Sequence, residues 1–145
     1  MLSCAILDDE QLALNIVVKY AEKTPFLELK LATTDALEAQ TYIQQNKIDL
    51  VFLDIQMPDL DGISFLTSLS SKPWVIFTTA YDQYALKGYE LDVVDYLLKP
   101  ISFERFLKAT NKVLRLKDSS EQKEISDAIW VKADYQQKKV VLNNI

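Results

Sequence analysis

The side chains of this sequence that could do chemistry stand directly after short apolar runs. They are carboxylates, hydroxyls and one ammonium, and they belong to Asp8, Asp9, Asp54, Thr78, Thr79 and Lys99. If the apolar runs are strands of a parallel sheet, their carboxyl ends face one crevice, where such sheets bind their ligands. We therefore expect these side chains to converge in the folded protein.

Three carboxylates held at one edge of a sheet would repel one another, and one of them would be driven to keep its proton. A hard divalent cation relieves this repulsion, and Mg²⁺ in particular binds carboxylate oxygens, waters and phosphate groups. With a metal ion and a lysine nearby, a carboxylate can attack a phosphoryl group, because fixed cations neutralise the charge that develops on the transferred oxygens. The pattern predicts a Mg²⁺ site and an aspartyl phosphate.

The sequence contains no histidine. This absence excludes His-ligated metal sites, Ser-His and Cys-His nucleophile pairs, and imidazole acid–base catalysis. The single cysteine, Cys4, lies in an apolar run and is expected to be a small buried residue. The remaining chemistry belongs to carboxylates, hydroxyls, lysine and oxygen-bound metal.

Each candidate also has a purely structural explanation. Asp8 and Asp9 could cap the helical stretch that follows them, and Lys99 could be an ordinary charge at a strand end. Chemistry is favoured by the combination of these residues at the ends of four separate runs. By contrast, Asp59 and Asp61 are interpreted as a turn acid and a helix cap.

Short apolar runs alternate with stretches of helical periodicity, which is typical of βα units and a parallel sheet. The sequence predicts an α/β fold with five βα units and a doubly wound parallel sheet of five strands. The predicted strands are Cys4–Leu7, Leu27–Ala32, Leu50–Leu53, Val75–Thr78 and Val94–Leu98. The predicted helices are Glu10–Lys23, Asp35–Asn46, Asp61–Ser70, Tyr81–Glu90 and Phe103–Lys117.

The chain of 145 residues, with 49% hydrophobic and 26% charged residues, has the composition of a soluble globular protein. No apolar run approaches the ~20 residues of a membrane span, and acids come too early for a signal peptide, so we expect a cytoplasmic protein. The net charge of -5 argues against nucleic-acid binding by this stretch. Residues 118–127 are polar and are predicted to link a domain at 1–117 to an incomplete β-rich domain beginning at 128–145.

Four motifs, ILDDE, VFLDIQMPDLDG, FTTA and YLLKP, resemble in order and spacing those of a response-regulator receiver domain. The resemblance covers roughly residues 1–117 and implies the flavodoxin-like receiver fold. It implies that Asp54 is the phosphoacceptor and that Thr79 and Lys99 contact the phosphoryl group. The implied Mg²⁺ ligands are Asp9 and, less directly, Asp8, together with Asp54 and the backbone carbonyl of Gln56.

The resemblance also implies how the domain switches. Thr79 and Tyr96 match a hydroxyl and an aromatic residue that move together, although Tyr96 could instead be a half-buried tyrosine at a sheet edge. Gln56 and Tyr81 match positions that tune the loss of the phosphoryl group. The Lys99–Pro100 bond is expected to be cis.

The stretch FTTAYDQYALKGYELDVVDYLLKP and the segment IWVKAD are similar to the LytTR subgroup, whose receivers precede a β-rich DNA-binding domain. This similarity implies a sensor histidine kinase as phosphodonor and no membrane partner. It further implies a homodimer on phosphorylation, formed by the face of the fourth helix, fifth strand and fifth helix. DNA binding would belong only to the domain that begins within residues 128–145.

Two other functions fit part of the pattern. A phosphatase of the haloacid dehalogenase type also forms an aspartyl phosphate, but it needs a second acid where this sequence has Gln56. A receiver-like interaction module that is never phosphorylated would not need the full set of Asp9, Asp54, Thr79 and Lys99. The preferred hypothesis is a receiver that catalyses only its own phosphorylation and dephosphorylation, and not an enzyme with a separate substrate.

Overall fold

The computed structural model describes residues 1–57, 62–70, 72–80 and 93–122. The chain divides into two compact units, Met1–Val113 and Leu114–Ile145. In the second unit the described residues are 114–122, which are helical. The candidate site residues that the structure describes all lie in the first unit.

One sheet of five parallel strands forms the centre of the first unit, in the order β2-β1-β3-β4-β5. The strands are β1 (Leu2–Leu7), β2 (Leu27–Thr33), β3 (Leu50–Asp54), β4 (Trp74–Thr79) and β5 (Asp95–Leu98). The described helices are α1 (Gln11–Glu22), α2 (Ala36–Gln45), α3 (Gly62–Ser68) and a helix over residues 103–122, named here the 103–122 helix. The predicted α/β fold with one parallel five-stranded sheet is confirmed.

Helices cover both faces of the sheet. Alternate residues of a strand point to opposite sides, so one strand contacts the helices of both faces. On one face, Val51 and Leu53 of β3 belong to a buried apolar cluster that includes side chains of α2 and α3. On the other face, Phe52 stacks on Phe106 of the 103–122 helix, with ring centroids 5.1 Å apart. Every residue of β3 is buried, as expected for a strand inside a parallel sheet with two covered faces.

The sequence explains why the first two helices form, through an apolar face in α1 and a capping residue before α2. In α1 the buried residues Leu14, Val17 and Ala21 recur at helical spacing and make one apolar face. α2 begins after Asp35, whose carboxylate accepts a hydrogen bond from the N–H of Leu37 at 3.0 Å and so caps the helix.

Strand boundaries differ slightly from the sequence predictions. β1 begins at Leu2 and not at Cys4, because Leu2 already pairs with β2. β3 and β4 include Asp54 and Thr79, since these polar residues still pair with the neighbouring strands. β5 begins at Asp95, one residue later than predicted.

The 103–122 helix runs past its predicted end at Lys117 and includes the first residues of the predicted linker. A polar stretch can extend a helix that is already nucleated, because each added residue contributes one hydrogen bond. The rest of the predicted linker, the predicted helix Tyr81–Glu90 and the predicted second domain at 128–145 lie outside the described residues. Among the described residues, no helix is long and apolar enough to span a membrane.

Candidate functional site

The site lies where the strand order changes direction. The chain passes from β1 to β2 on one side and later enters β3 on the other side of β1. Such a reversal opens a crevice at the carboxyl ends of the two central strands, here β1 and β3. Asp8 follows β1 directly and Asp54 is the last residue of β3, so the fold brings these two carboxylates to the same crevice.

Lys99 reaches both carboxylates from the end of β5. Its Nζ lies 2.9 Å from Oδ2 of Asp8 and 3.4 Å from Oδ2 of Asp54. The Lys99 side chain is only 19% exposed, so water screens these ion pairs less than it screens pairs on the surface. The backbone N–H of Lys99 donates to the carbonyl of Thr79 at 2.7 Å, which fixes the start of this side chain. The predicted convergence of these acids and this lysine is therefore present.

The carboxylates of Asp8, Asp9 and Asp54 could together hold a metal ion. Each offers one oxygen, and these oxygens lie within 4.8 Å of one another. Asp8 and Asp54 are buried, whereas Asp9 is exposed. Such a set of hard oxygen donors fits Mg²⁺, which commonly takes one or two carboxylates and completes its shell with water and phosphate.

The hydrogen bonding of Asp8 gives a separate test of this fit. Its Oδ1 accepts a hydrogen bond from the N–H of Glu10 at 2.9 Å. Its Oδ2 is buried and, among the described residues, has no hydrogen-bond donor of acceptable geometry, although the Lys99 ammonium lies 2.9 Å away as an ion pair. A buried carboxylate oxygen that is met by an ion pair and not by an aligned hydrogen-bond donor is suited to ionic partners. Together with the oxygens of Asp9 and Asp54, it gives a donor set that fits the metal.

The electrostatics of the crevice make Asp54 an unusual acid. Burial raises its pKa to about 7, and the negative charge of Asp8 adds to this rise. The N–H of Gln56, 3.1 Å from Asp54 Oδ1, and the charge of Lys99 oppose the rise. For Lys99, burial alone would lower the pKa, but the close contacts with the negative charges of Asp8 and Asp54 outweigh it and raise the pKa above its ordinary value. The pKa of Asp54 thus lies near neutral pH, and its carboxylate is held in position by the Lys99 ammonium.

This raised pKa predicts how stability depends on pH in the absence of metal. Between the ordinary pKa of 3.8 and about 7, folded Asp54 holds more proton than unfolded Asp54. The extra proton stabilises the folded state. Its contribution to the free energy of unfolding is complete below pH 3.8 and is lost as pH rises through about 7. Asp54→Asn has no such titration, so its free energy of unfolding relative to wild type should rise by on the order of 2–4 kcal/mol between pH 4 and pH 8.

Urea unfolding with a chelator present, repeated across this pH range, measures that difference. A difference between the two proteins that stays constant with pH would contradict the expected burial and repulsion at Asp54.

Gly62 lies against the backbone at the end of β3. Its N–H donates to the carbonyl of Ile55 at 2.9 Å. A Cβ at this position would lie 2.5 Å from the backbone oxygen of Asp54 and 2.8 Å from the Cα of Ile55, closer than real Cβ atoms approach. Any side chain here would displace the end of β3. This close approach was not anticipated from the sequence.

The two predicted switch residues, Thr79 and Tyr96, lie on the neighbouring strands β4 and β5. Thr79 is buried at the end of β4, next to Thr78, which pairs with Asp54 across the sheet. Tyr96 lies on β5 and packs on Phe77 with ring centroids 5.8 Å apart. Burial raises the Tyr96 pKa, and within the described part of the chain its hydroxyl has no hydrogen-bond partner.

Other predicted residues of the site have mixed outcomes. The side chain of Gln56 is exposed beside Asp54, and its backbone N–H donates to Oδ1 of Asp54 at 3.1 Å. The role of its carbonyl as a metal ligand is still a prediction. The Lys99–Pro100 bond is cis. Tyr81 lies outside the described residues.

A second charged cluster was not anticipated from the sequence. Arg105 donates two hydrogen bonds to the carboxylate of Asp95, at 2.7 and 2.8 Å, and a further one to the carbonyl of Tyr96 at 3.1 Å. Lys112 adds a contact to Asp95 at 2.9 Å. Burial would raise the pKa of Asp95, but these hydrogen bonds lower it to about 2. The cluster fastens β5 to the 103–122 helix, and the i, i+7 spacing of the two basic residues was its sequence signal.

Comparison with known proteins agrees with this geometry. The family model described as response regulator receiver domain matches residues 4–111. The chain is 42% identical over 117 residues to a Vibrio cholerae protein named uncharacterized response regulatory protein, covering 79% of this chain and 49% of that protein. It is 38% identical over 123 residues to the sensory transduction protein LytT of Bacillus anthracis, covering 82% and 50%. The chain thus spans about half the length of the curated relatives it matches.

Among solved structures, the response regulatory domain of mrkE from Klebsiella pneumoniae is similar with a TM-score of 0.69 and 31% sequence identity. The match covers 83% of this chain and 98% of that domain.

Proposed function

The chain belongs to the response regulator receiver family, and we propose that it accepts a phosphoryl group from a sensor histidine kinase onto Asp54. Receivers of this family accept signals from histidine kinases and bind Mg²⁺ at an acidic cluster. The observation that carries the proposal is the contact of buried Asp54 with Lys99 at 3.4 Å, beside the acids Asp8 and Asp9.

In the transfer step, one oxygen of ionised Asp54 attacks the phosphorus of a phosphohistidine. The new O–P bond forms as the P–N bond breaks, and the imidazole nitrogen leaves with the bonding electron pair. The histidine must belong to the donor protein, because this chain has none. Since the pKa of Asp54 is about 7 without metal, the attacking carboxylate is only partly ionised until cations assist it.

Several groups of the chain would stabilise the transferred phosphoryl oxygens. The ammonium of Lys99 would pair with one of them, and the Thr79 hydroxyl would donate to another. Asp8, Asp9, Asp54 and the Gln56 carbonyl would hold Mg²⁺. When bound, the ion would neutralise negative charge on the phosphoryl group and lower the repulsion among the acids. Gln56 and Tyr81 would influence how fast water removes the group.

We further propose that phosphorylation changes the surface of β5 and the helices beside it. A phosphoryl group adds about -1.5 to -2 charges, which would draw Thr79 and Lys99 inward and allow Tyr96 to turn. The region matched in relatives such as LytT is about half of their length. The intact protein would dimerise through the surface beside β5 and would bind DNA through a LytTR-type domain. If phosphorylation leaves the sedimentation coefficient of the full-length protein unchanged, the proposed dimer loses its support.

Magnesium removal tests the central proposal. The intact mass of this chain, incubated with acetyl phosphate and Mg²⁺, should rise by one phosphoryl group. With excess chelator the uptake should fall by at least about tenfold, because the acids then repel the incoming phosphoryl oxygens. If no uptake occurs with Mg²⁺ present, the chain is better described as a receiver-like interaction module that is not phosphorylated.

A further inference from the structure

We propose that Tyr20 is a positioning residue for Lys99, acting through a hydrogen bond from its hydroxyl to the carbonyl of Ile101. The inference rests on the proposed function, because it concerns the lysine that contacts Asp54. Tyr20 is in α1, whereas Lys99 and Ile101 follow β5, and Ile101 lies 81 residues after Tyr20 in the chain. No sequence motif links them.

The segment from Lys99 to Ile101 is held at both ends. At its start, the N–H of Lys99 donates to the carbonyl of Thr79 at 2.7 Å. At its end, the hydroxyl of Tyr20 donates to the carbonyl of Ile101 at 2.7 Å. Ile101 is buried, so its carbonyl needs a donor from the protein in place of water. Tyr20 supplies that donor.

Tyr20 itself is supported by a continuous aromatic cluster. Its ring packs on Phe103 and Phe106, with centroid distances of 5.2 and 5.5 Å. Phe106 in turn stacks on Phe52, which precedes Asp54 by two residues in β3. The same cluster therefore supports both the strand that carries Asp54 and the tyrosine that holds the segment after Lys99.

Packing alone does not require a hydroxyl on this ring, since phenylalanine would fill the same space. The hydroxyl adds directional control of the backbone beyond Lys99. This control matters because Lys99 Nζ lies 3.4 Å from Asp54 Oδ2, at the long end of hydrogen-bond distances, so a small displacement weakens the contact. Misplacing a reacting group by about 1 Å can slow a reaction by on the order of 100-fold, so smaller displacements also lower the rate.

Tyr20→Phe tests the role of the hydroxyl while keeping the ring. We expect phosphorylation by acetyl phosphate at saturating Mg²⁺ to slow by about two- to tenfold, the range expected for one lost hydrogen bond. In a Lys99→Ala background the same change should have little effect, because Tyr20 acts through Lys99. Tyr42→Phe, which removes a hydroxyl from α2 on the opposite face, is the matched control and should leave the rate unchanged.

A second measurement does not depend on phosphorylation. The order parameter of the Lys99 ammonium, from nitrogen-15 NMR, should fall in Tyr20→Phe and not in Tyr42→Phe. An unchanged order parameter would overturn the proposal, as would an equal slowing of phosphorylation with and without Lys99. If wild type takes up no phosphoryl group while the order parameter falls as expected, the proposed function fails and the positioning role of Tyr20 stands.

Discussion

Asp54→Asn is expected to abolish phosphoryl uptake from acetyl phosphate and Mg²⁺ while the protein stays folded. Asparagine has nearly the shape of aspartate, but its neutral amide is a poor nucleophile. Asp54 is buried beside Lys99, so the substitution removes a carboxylate from the centre of the crevice without opening a large cavity. Intact-mass spectrometry of wild type and variant after equal incubation measures the difference, and circular dichroism reports the fold.

The matched control for this result is Asp35→Asn. It makes the same chemical change at the N-cap of α2, and asparagine caps helices as well as aspartate does. Its phosphoryl uptake should equal that of wild type. If Asp54→Asn took up the label as wild type does, the acceptor would have to be another residue, and peptide mapping of the labelled chain would identify it.

Lys99→Ala is expected to slow phosphorylation by about 100- to 1,000-fold, the usual effect of removing one preorganised group that stabilises transferred oxygens. The ammonium lies within 3.4 Å of both Asp8 and Asp54 and is largely buried, so water cannot replace its charge efficiently. The rate of mass increase at fixed acetyl phosphate and Mg²⁺ measures the effect. Because the change leaves two buried carboxylates without this cation, thermal unfolding must be followed in parallel.

Lys30→Ala is the control for the loss of a lysine charge. Lys30 pairs with Glu28 on the surface of β2, where both side chains are well exposed, and such pairs contribute little. Its phosphorylation rate should stay within about twofold of wild type. A similarly small effect at Lys99 would mean that this residue is a charge at a strand end with no part in the transfer.

Much of the fold and of the site could be predicted from residue types and their order. Short apolar runs such as the one before Asp54 predicted parallel strands, because a strand buried on both faces needs continuous apolar residues. Polar residues directly after those runs marked the crevice, since the carboxyl ends of parallel strands share one edge. The roles of Thr79, Tyr96, Gln56 and Tyr81 are still predictions, as is the domain expected from residue 128 onwards.

The helix ends were predicted less well, for a local reason. The polar residues at 118–122 carry no apolar periodicity, so they read as a linker although they continue the 103–122 helix. Charged and polar residues with fair helix propensity fit an exposed helix as well as they fit a coil.

The sequence could therefore identify the acids and the lysine that meet in one crevice, because residue type and strand-end position are local properties of the chain. The chemistry assigned to them is still a prediction. Tertiary structure alone decided that β1 lies beside β3, that Lys99 reaches Asp8 more closely than Asp54, and that burial raises the pKa of Asp54 to about 7. It also decided the contact between Tyr20 and Ile101. These features depend on which distant segments pack together and on how much water they exclude, and no local pattern of residues encodes either quantity.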